Sequence, residues 1–360
     1  MSVQLNRVLI VGLFSWPQYE QAVANGLRAS GAEVHTLPLA AHFRGRWGAL
    51  QQTLPLPLGV LQRINRQVLD EARRLRPHWV LFWRPTHILP GTLQALRALG
   101  IATVSYNNDD PFGPKAHGNV PWHHHLLWHW YLRCLPQFDR NFFYRRINCD
   151  EARAAGASHA AVLMPYFIPA LDRPMELDAA DHARFGCDIV FVGHYEPDGR
   201  EQLVRRLVDA GLHMRLWGGD SWGSEVLGDL YSHLGPAAPA LGDDYRKALC
   251  GAQICLCLLS RVNRDTYTRR CFEIPACGKL MLAERTDDLV ALFREDEEAC
   301  FFSTPEELVQ KALWLRDKPE LCQRISLAGQ RRVWSDGHDV ESRCRELLTA
   351  LGQQDPSPLL

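Results

Sequence analysis

The sequence predicts an α/β protein built as two successive Rossmann-like units, each a parallel sheet wrapped by helices. Three observations predict it. Short apolar runs of strand length alternate with helical stretches from residue 8 to residue 164, a segment carrying Pro169, Pro174 and many polar residues interrupts the alternation, and the alternation starts again at residue 188. A chain of 360 residues also exceeds one comfortable core, which favours two domains.

The first unit opens with a continuous apolar run at 8–14, a helical stretch at 19–29 and Gly31 as a stop. Strand-like 34–37, helical 60–75, strand-like 79–83, helical 92–99 and strand-like 101–106 follow. Segments 139–144, 150–155 and 160–164 extend the pattern to Pro165. These observations predict a first domain over 1–170 and a linker over 171–186. The second domain, 187–337, is read as strand 188–192, loop 193–199, helix 201–210, strand 214–217, helix 245–251, buried strand 254–259, helix 266–277, and strands at 280–283 and 299–302. Residues 338–360 are expected to form a terminal helix that returns to the first domain.

Composition excludes several classes. Lys+Arg at 40 against Asp+Glu at 41 gives a net charge of -1, so no global basic field gathers nucleic acid, and any anion site must be local. The apolar runs are far shorter than the roughly 20 residues that cross a bilayer, and residues 1–7 lack a signal-peptide pattern, so a cytoplasmic location is expected. The 11 cysteines are scattered, as reduced and mostly buried thiols are, rather than arranged at zinc-finger spacing. After the first strand, Val11-Gly12-Leu13-Phe14 lacks the Gly-x-Gly-x-x-Gly fingerprint, which disfavours a dehydrogenase.

Ligands of open parallel sheets sit at the carboxyl ends of the strands, which directs attention to the loops after Val192, Trp217, Leu259 and Ala283. The segment 261–278, RVNRDTYTRRCFEIPACG, follows a buried strand and opens a helix. Guanidinium groups at Arg261, Arg264 and Arg270 suit the oxygens of a nucleoside diphosphate, and the carboxylate of Glu273 can accept bonds from two ribose hydroxyls. A surface arginine is usually solvated. Three around one strand end, with Glu273 following, favour a binding site.

The segments FEIPACGKLMLAERTDDLVALF and EEACFFSTPEELVQKALWL resemble the C-terminal domain of the CgeB-like glycosyltransferases, relatives of glycosyltransferase family 4. That resemblance covers residues 188–348 and implies the GT-B fold, two Rossmann-like domains whose parallel sheets face a central cleft. In family 4 an acidic residue eight positions before the ribose-binding glutamate contacts the donor sugar, and here Asp265 stands eight before Glu273. Aspartate shortens that reach by one methylene. The resemblance also implies diphosphate contacts from Gly193, His194 and Arg200.

On the acceptor side, Asn107-Asn108-Asp109-Asp110-Pro111 ends a strand where Asp109 or Asp110 could position or deprotonate a hydroxyl; Asp and Asn before Pro equally favour a turn. CgeB-like proteins show a similar Asp-Asp-Pro element. His87 is a candidate base or acceptor contact, or else a turn histidine. In WHHHLLWHW, residues 122–130, His125 and His129 share a helical face at i and i+4, yet no His-Glu-x-x-His pattern or acidic third ligand accompanies them, so no metal site is expected.

The function these features imply is metal-independent transfer of a sugar from a nucleoside-diphosphate sugar to an unidentified acceptor, with no cofactor, and the resemblance to the family implies retention. A nucleotide-sugar epimerase on the same fold and a non-catalytic nucleotide-sugar-binding protein remain the alternatives.

Overall fold

The computed structural model describes residues 6–113 and 122–352. The chain divides into two compact units, residues 1–164 with 340–360, and residues 165–339.

The first unit holds six strands: β1 (Arg7–Gly12), β2 (Glu33–Pro38), β3 (Trp79–Trp83), β4 (Ala102–Asn107), β5 (Arg140–Phe143) and β6 (Ala160–Val162). They lie in the order β2-β1-β3-β4-β5-β6, every neighbouring pair parallel. Strands covered on both faces need apolar residues at consecutive positions, which is why 8–11 and 80–83 read as unbroken runs and are all buried. The chain leaves β1 for β2 on one side and returns to β3 on the other, so the crevice of this sheet opens between the ends of β1 and β3. Helix Val340–Gly352 belongs to this unit and packs on helix Ala22–Ala29. A Cβ on Gly26 would stand 2.7 Å from the Cys344 sulfur, so this close approach requires glycine.

The second unit holds β7 (Cys187–Val192), β8 (Met214–Trp217), β9 (Ala252–Cys257), β10 (Leu280–Glu284) and β11 (Cys300–Phe302), all parallel, in the order β11-β10-β9-β7-β8. Its crevice falls between the ends of β7 and β9.

Three expectations are corrected. Residues 171–186 lie inside the second unit instead of linking two domains. Helix Ala179–Phe185 forms there, capped by the Asp178 carboxylate, which accepts from the Asp181 amide at 2.8 Å, and Phe185 is buried. The helix expected over 266–277 starts only at Arg270 and ends at Ala276, with Arg269 as its N-cap. The histidine-rich stretch is two short helices, Trp122–Leu127 and His129–Cys134, meeting at Trp128, so His125 and His129 do not share one continuous helix. Among the described residues, no helix is long and apolar enough to cross a membrane.

Candidate functional site

The second unit's site is built around the turn that follows β7. Gly193 donates its amide to the Trp217 carbonyl at 2.8 Å and accepts from the Trp222 indole at 2.7 Å, so neighbouring strand ends clamp the turn. Arg270, the first residue of helix Arg270–Ala276, reaches back and donates from Nη1 to the Val192 carbonyl at 2.9 Å. A Cβ on Gly193 would meet that Nη1 and the Phe191 ring, each at 2.9 Å, so glycine is what lets the guanidinium lie against the strand end. The Arg270 Nε is buried and has no partner among the described residues. A buried cationic donor left unsatisfied at a sheet crevice is arranged for an anion.

One turn along the same helix, Glu273 accepts from Arg269 Nε at 2.6 Å and from the Tyr245 hydroxyl at 2.8 Å. Each carboxylate oxygen keeps one further lone-pair site, so the group can still accept two hydroxyls. About 9% of its side chain remains exposed. Arg269 also lies 3.5 Å from Asp172 and 5.4 Å from the centre of the Tyr166 ring. Burial, with the Glu273 carboxylate beside it, raises Asp172 to about 7. Burial and then Glu273 hold the Tyr245 phenol well above its ordinary range, so it stays a donor.

Arg200 serves differently from the expected phosphate contact. Its guanidinium is 3% exposed and is gripped by Asp198 through Nε at 2.8 Å and Nη2 at 2.6 Å, while Nη1 donates to the His194 carbonyl at 2.8 Å. Buried and bonded on both edges, Arg200 pins the 193–200 turn. His194 itself is largely exposed and 3.2 Å from Glu196, whose other oxygen accepts from the Ser260 hydroxyl at 2.7 Å. Arg200 and the exposed Arg261 line one depression of about 180 Å3 with Asp198 and Glu284, whereas Arg270 and Glu273 lie outside its lining. Arg264 takes a left-handed backbone (φ 51°), and the Asp265 amide donates to the Ser260 carbonyl at 2.9 Å, closing the 260–265 loop. The expected donor set thus falls into an inner group, Gly193, Arg270 and Glu273, and an outer group, Arg200 and Arg261, with His194, Arg264 and Asp265 in the loops between.

Sequence reasoning missed Asp172, Asp198, Tyr245 and Arg269. Arg269 stands four residues before Glu273 on one helical face, a legible signal. Asp198, two residues before Arg200, was equally local, whereas Asp172 and Tyr245 act across separations that no local pattern reveals.

In the first unit, Asp109 pairs with Arg84 at the ends of β4 and β3, and each side chain is nearly a third exposed. The Arg84 guanidinium lies 5.3 Å from the centre of the Trp128 ring. Asp110 is buried, and its Oδ1 accepts from the amides of Phe112 and Gly113 at 2.9 and 2.8 Å and from Asn148 at 2.8 Å. These bonds make it the anchor of its turn.

His87 lines a narrow cleft with Gly12, Trp83 and Arg84. Its Nε2 is 2.9 Å from the Gln51 carbonyl, which can only accept, so Nε2 carries the proton and Nδ1 accepts from Thr86 Oγ1 at 2.9 Å. No ring lone pair is left for proton abstraction. Burial, opposed by the Gln51 bond and aided by Arg84, lowers His87 to about 4. With an unfolded value of about 6.5, the neutral ring's contribution is complete above that pH and is lost as pH falls through 4. Urea titrations should show about 2 kcal/mol less stability at pH 5 than at pH 7 from this residue. His87→Gln should remove that increment; an identical pH dependence in the variant contradicts the assignment.

Residues 200–349 match the glycosyl transferase-like family. Among curated proteins no sequence matches. Several solved structures share the fold across nearly the whole chain. Sucrose-phosphate synthase from Thermosynechococcus elongatus has 12% identity and a TM-score of 0.69, covering 96% of this chain and 98% of that one. The Anabaena protein HepE, solved in complex with UDP-glucose, has 13% identity and a TM-score of 0.66, covering 96% and 99%. A glycosyltransferase from Rickettsia africae has 12% identity and a TM-score of 0.66, covering 98% and 100%. The two parallel sheets are those of the GT-B fold, and residues 200–349 form a glycosyl transferase-like domain within it.

Proposed function

We propose that the chain is a CgeB-like glycosyltransferase that moves a sugar from a nucleoside-diphosphate sugar to an acceptor nucleophile with retention at the anomeric carbon. The observation that carries this reading is the Arg270 guanidinium against Gly193, its Nε buried without a partner among the described residues, with Glu273 one turn away. In the proposed complex Arg270 meets the diphosphate and stabilises the charge that develops on it as the glycosidic bond breaks. Guanidinium groups then do the work for which no obligatory divalent ion is required. Glu273, held in place by Arg269 and Tyr245, accepts the ribose hydroxyls. Arg200 and Asp198 keep the turn in shape. On the acceptor side, Asp109, half-buried and paired with Arg84, is the carboxylate we assign to position a hydroxyl, and Asp110 and His87 shape its surroundings.

A thermal-shift screen of nucleotide sugars, beginning with UDP-glucose because HepE binds it, tests the reading. A true donor at 100 times its dissociation constant should stabilise the protein by about 2.7 kcal/mol. Glu273→Ala should lose that shift. A variant that keeps it, or a screen in which no nucleotide sugar shifts the wild type, removes the assignment. Turnover of the donor without any acceptor would indicate an epimerase, and binding without turnover a binding protein.

A further inference from the structure

Helix Gly45–Thr53, which follows β2, faces the wrong way for an ordinary amphipathic helix. Its buried positions are Gly48 and Gln51, while Trp47 and Leu50, three residues apart and hence on one face, are 57% and 42% exposed. Helix Trp122–Leu127 packs against it and repeats the arrangement. There Leu127 is buried, whereas Trp122 and Leu126, four residues apart, are 67% and 42% exposed. The Trp130 indole donates to the Pro55 carbonyl at 2.7 Å, joining the two segments a second time, and Leu58 adds another exposed apolar side chain. Elsewhere on the unit large apolar side chains are exposed singly, which needs no explanation. Here two tryptophans and three leucines gather on adjoining elements.

The charge around them has one sign. Residues 34–69 and 122–138 contain no aspartate or glutamate, in a chain with 41 of them. Arg44 and Arg46, both exposed, flank Trp47, and His125 is exposed beside Leu126. A protein whose net charge is -1 therefore places cations beside interfacial aromatics on two adjoining segments that carry no carboxylate of their own; Asp109, paired with Arg84, acts on His124 from outside them. A protein partner's core would not demand the exclusion of acids over both segments, and a nucleic acid would not call for leucines. An anionic bilayer asks for both: tryptophan and leucine enter the headgroup boundary, and arginine pairs with lipid phosphate. We infer that the helices Gly45–Thr53 and Trp122–Leu127 form a docking face for the surface of a membrane containing anionic lipid, holding the protein on the bilayer without crossing it. This inference stands on the first unit alone and does not depend on the donor site.

Vesicle co-sedimentation tests it. Full-length protein should bind vesicles of phosphatidylcholine with about 30% phosphatidylglycerol at least about tenfold more tightly than vesicles of phosphatidylcholine alone, and raised salt should weaken the binding. Arg44→Gln with Arg46→Gln should cost about thirtyfold together, near fivefold each. Trp47→Ser with Trp122→Ser should abolish sedimentation while leaving the melting temperature unchanged, since both side chains already face solvent. Equal binding to neutral and anionic vesicles, or anionic binding untouched by both double variants, overturns the inference. So does absence of lipid binding, whether the face instead mediates concentration-dependent self-association or retains a DNA oligonucleotide.

Discussion

Arg270→Ala should weaken binding of the nucleoside-diphosphate sugar by about 100-fold. A hydrogen bond to a charged group contributes about 1.5–3 kcal/mol, and here the donor is desolvated before the ligand arrives, so two such bonds to a diphosphate reach that range. The geometry adds to the argument. Arg270 spends Nη1 on the Val192 carbonyl, which fixes the plane of the guanidinium, and its Nε is buried without a partner. Arg270→Lys retains the charge but lacks the rigid fork that can hold the strand end and the anion together, and it should recover only part of the loss. Titration calorimetry of the donor against both variants, with melting curves to confirm folding, reads the effect. A dissociation constant unchanged in Arg270→Ala would remove the arginine from the donor site.

Asp198→Ala should destabilise the second unit by about 3–5 kcal/mol, because it strands the buried Arg200 guanidinium without its counter-charge. Arg200 is 3% exposed and Asp198 8%, so neither charge can turn to water in place. The Glu196 carboxylate, 3.4 Å from Arg200, gives partial compensation, and Asp198→Asn should fall between the variant and the wild type. Urea unfolding measures the loss, and hydrogen exchange places it, since protection should fall first over residues 187–217. A change below about 1 kcal/mol would show that Arg200 does not pin the turn. The phosphate role expected from sequence would then regain its footing.

These two arginines show where legibility ended. Both were readable as cations at the ends of strands, and the sequence does not distinguish them. What separates them is the company they keep: Asp198 neutralises Arg200 from two positions away, whereas Arg270 donates to a carbonyl of a strand 78 residues earlier and lies 5.8 Å from the centre of the Phe191 ring. His87 makes the same point. A strand-end histidine suggests a base, until the carbonyl of Gln51, 36 residues away, fixes its proton on Nε2. The supposed linker fails for a similar reason. Its prolines and polar residues carry no periodicity, yet Asp172 within it is buried beside Arg269.

Strand positions, the parallel α/β class and the glycine that permits close approach were determined by the sequence itself, because burial on both sheet faces and the space available to a backbone impose residue types locally. Which carboxylate neutralises which guanidinium, and therefore which cation stays available to an anion, was decided only by the tertiary structure. Even pairings of near neighbours, such as Asp198 with Arg200, take their weight from burial, and the free energy of a buried charge is set by the neighbours that folding brings to it.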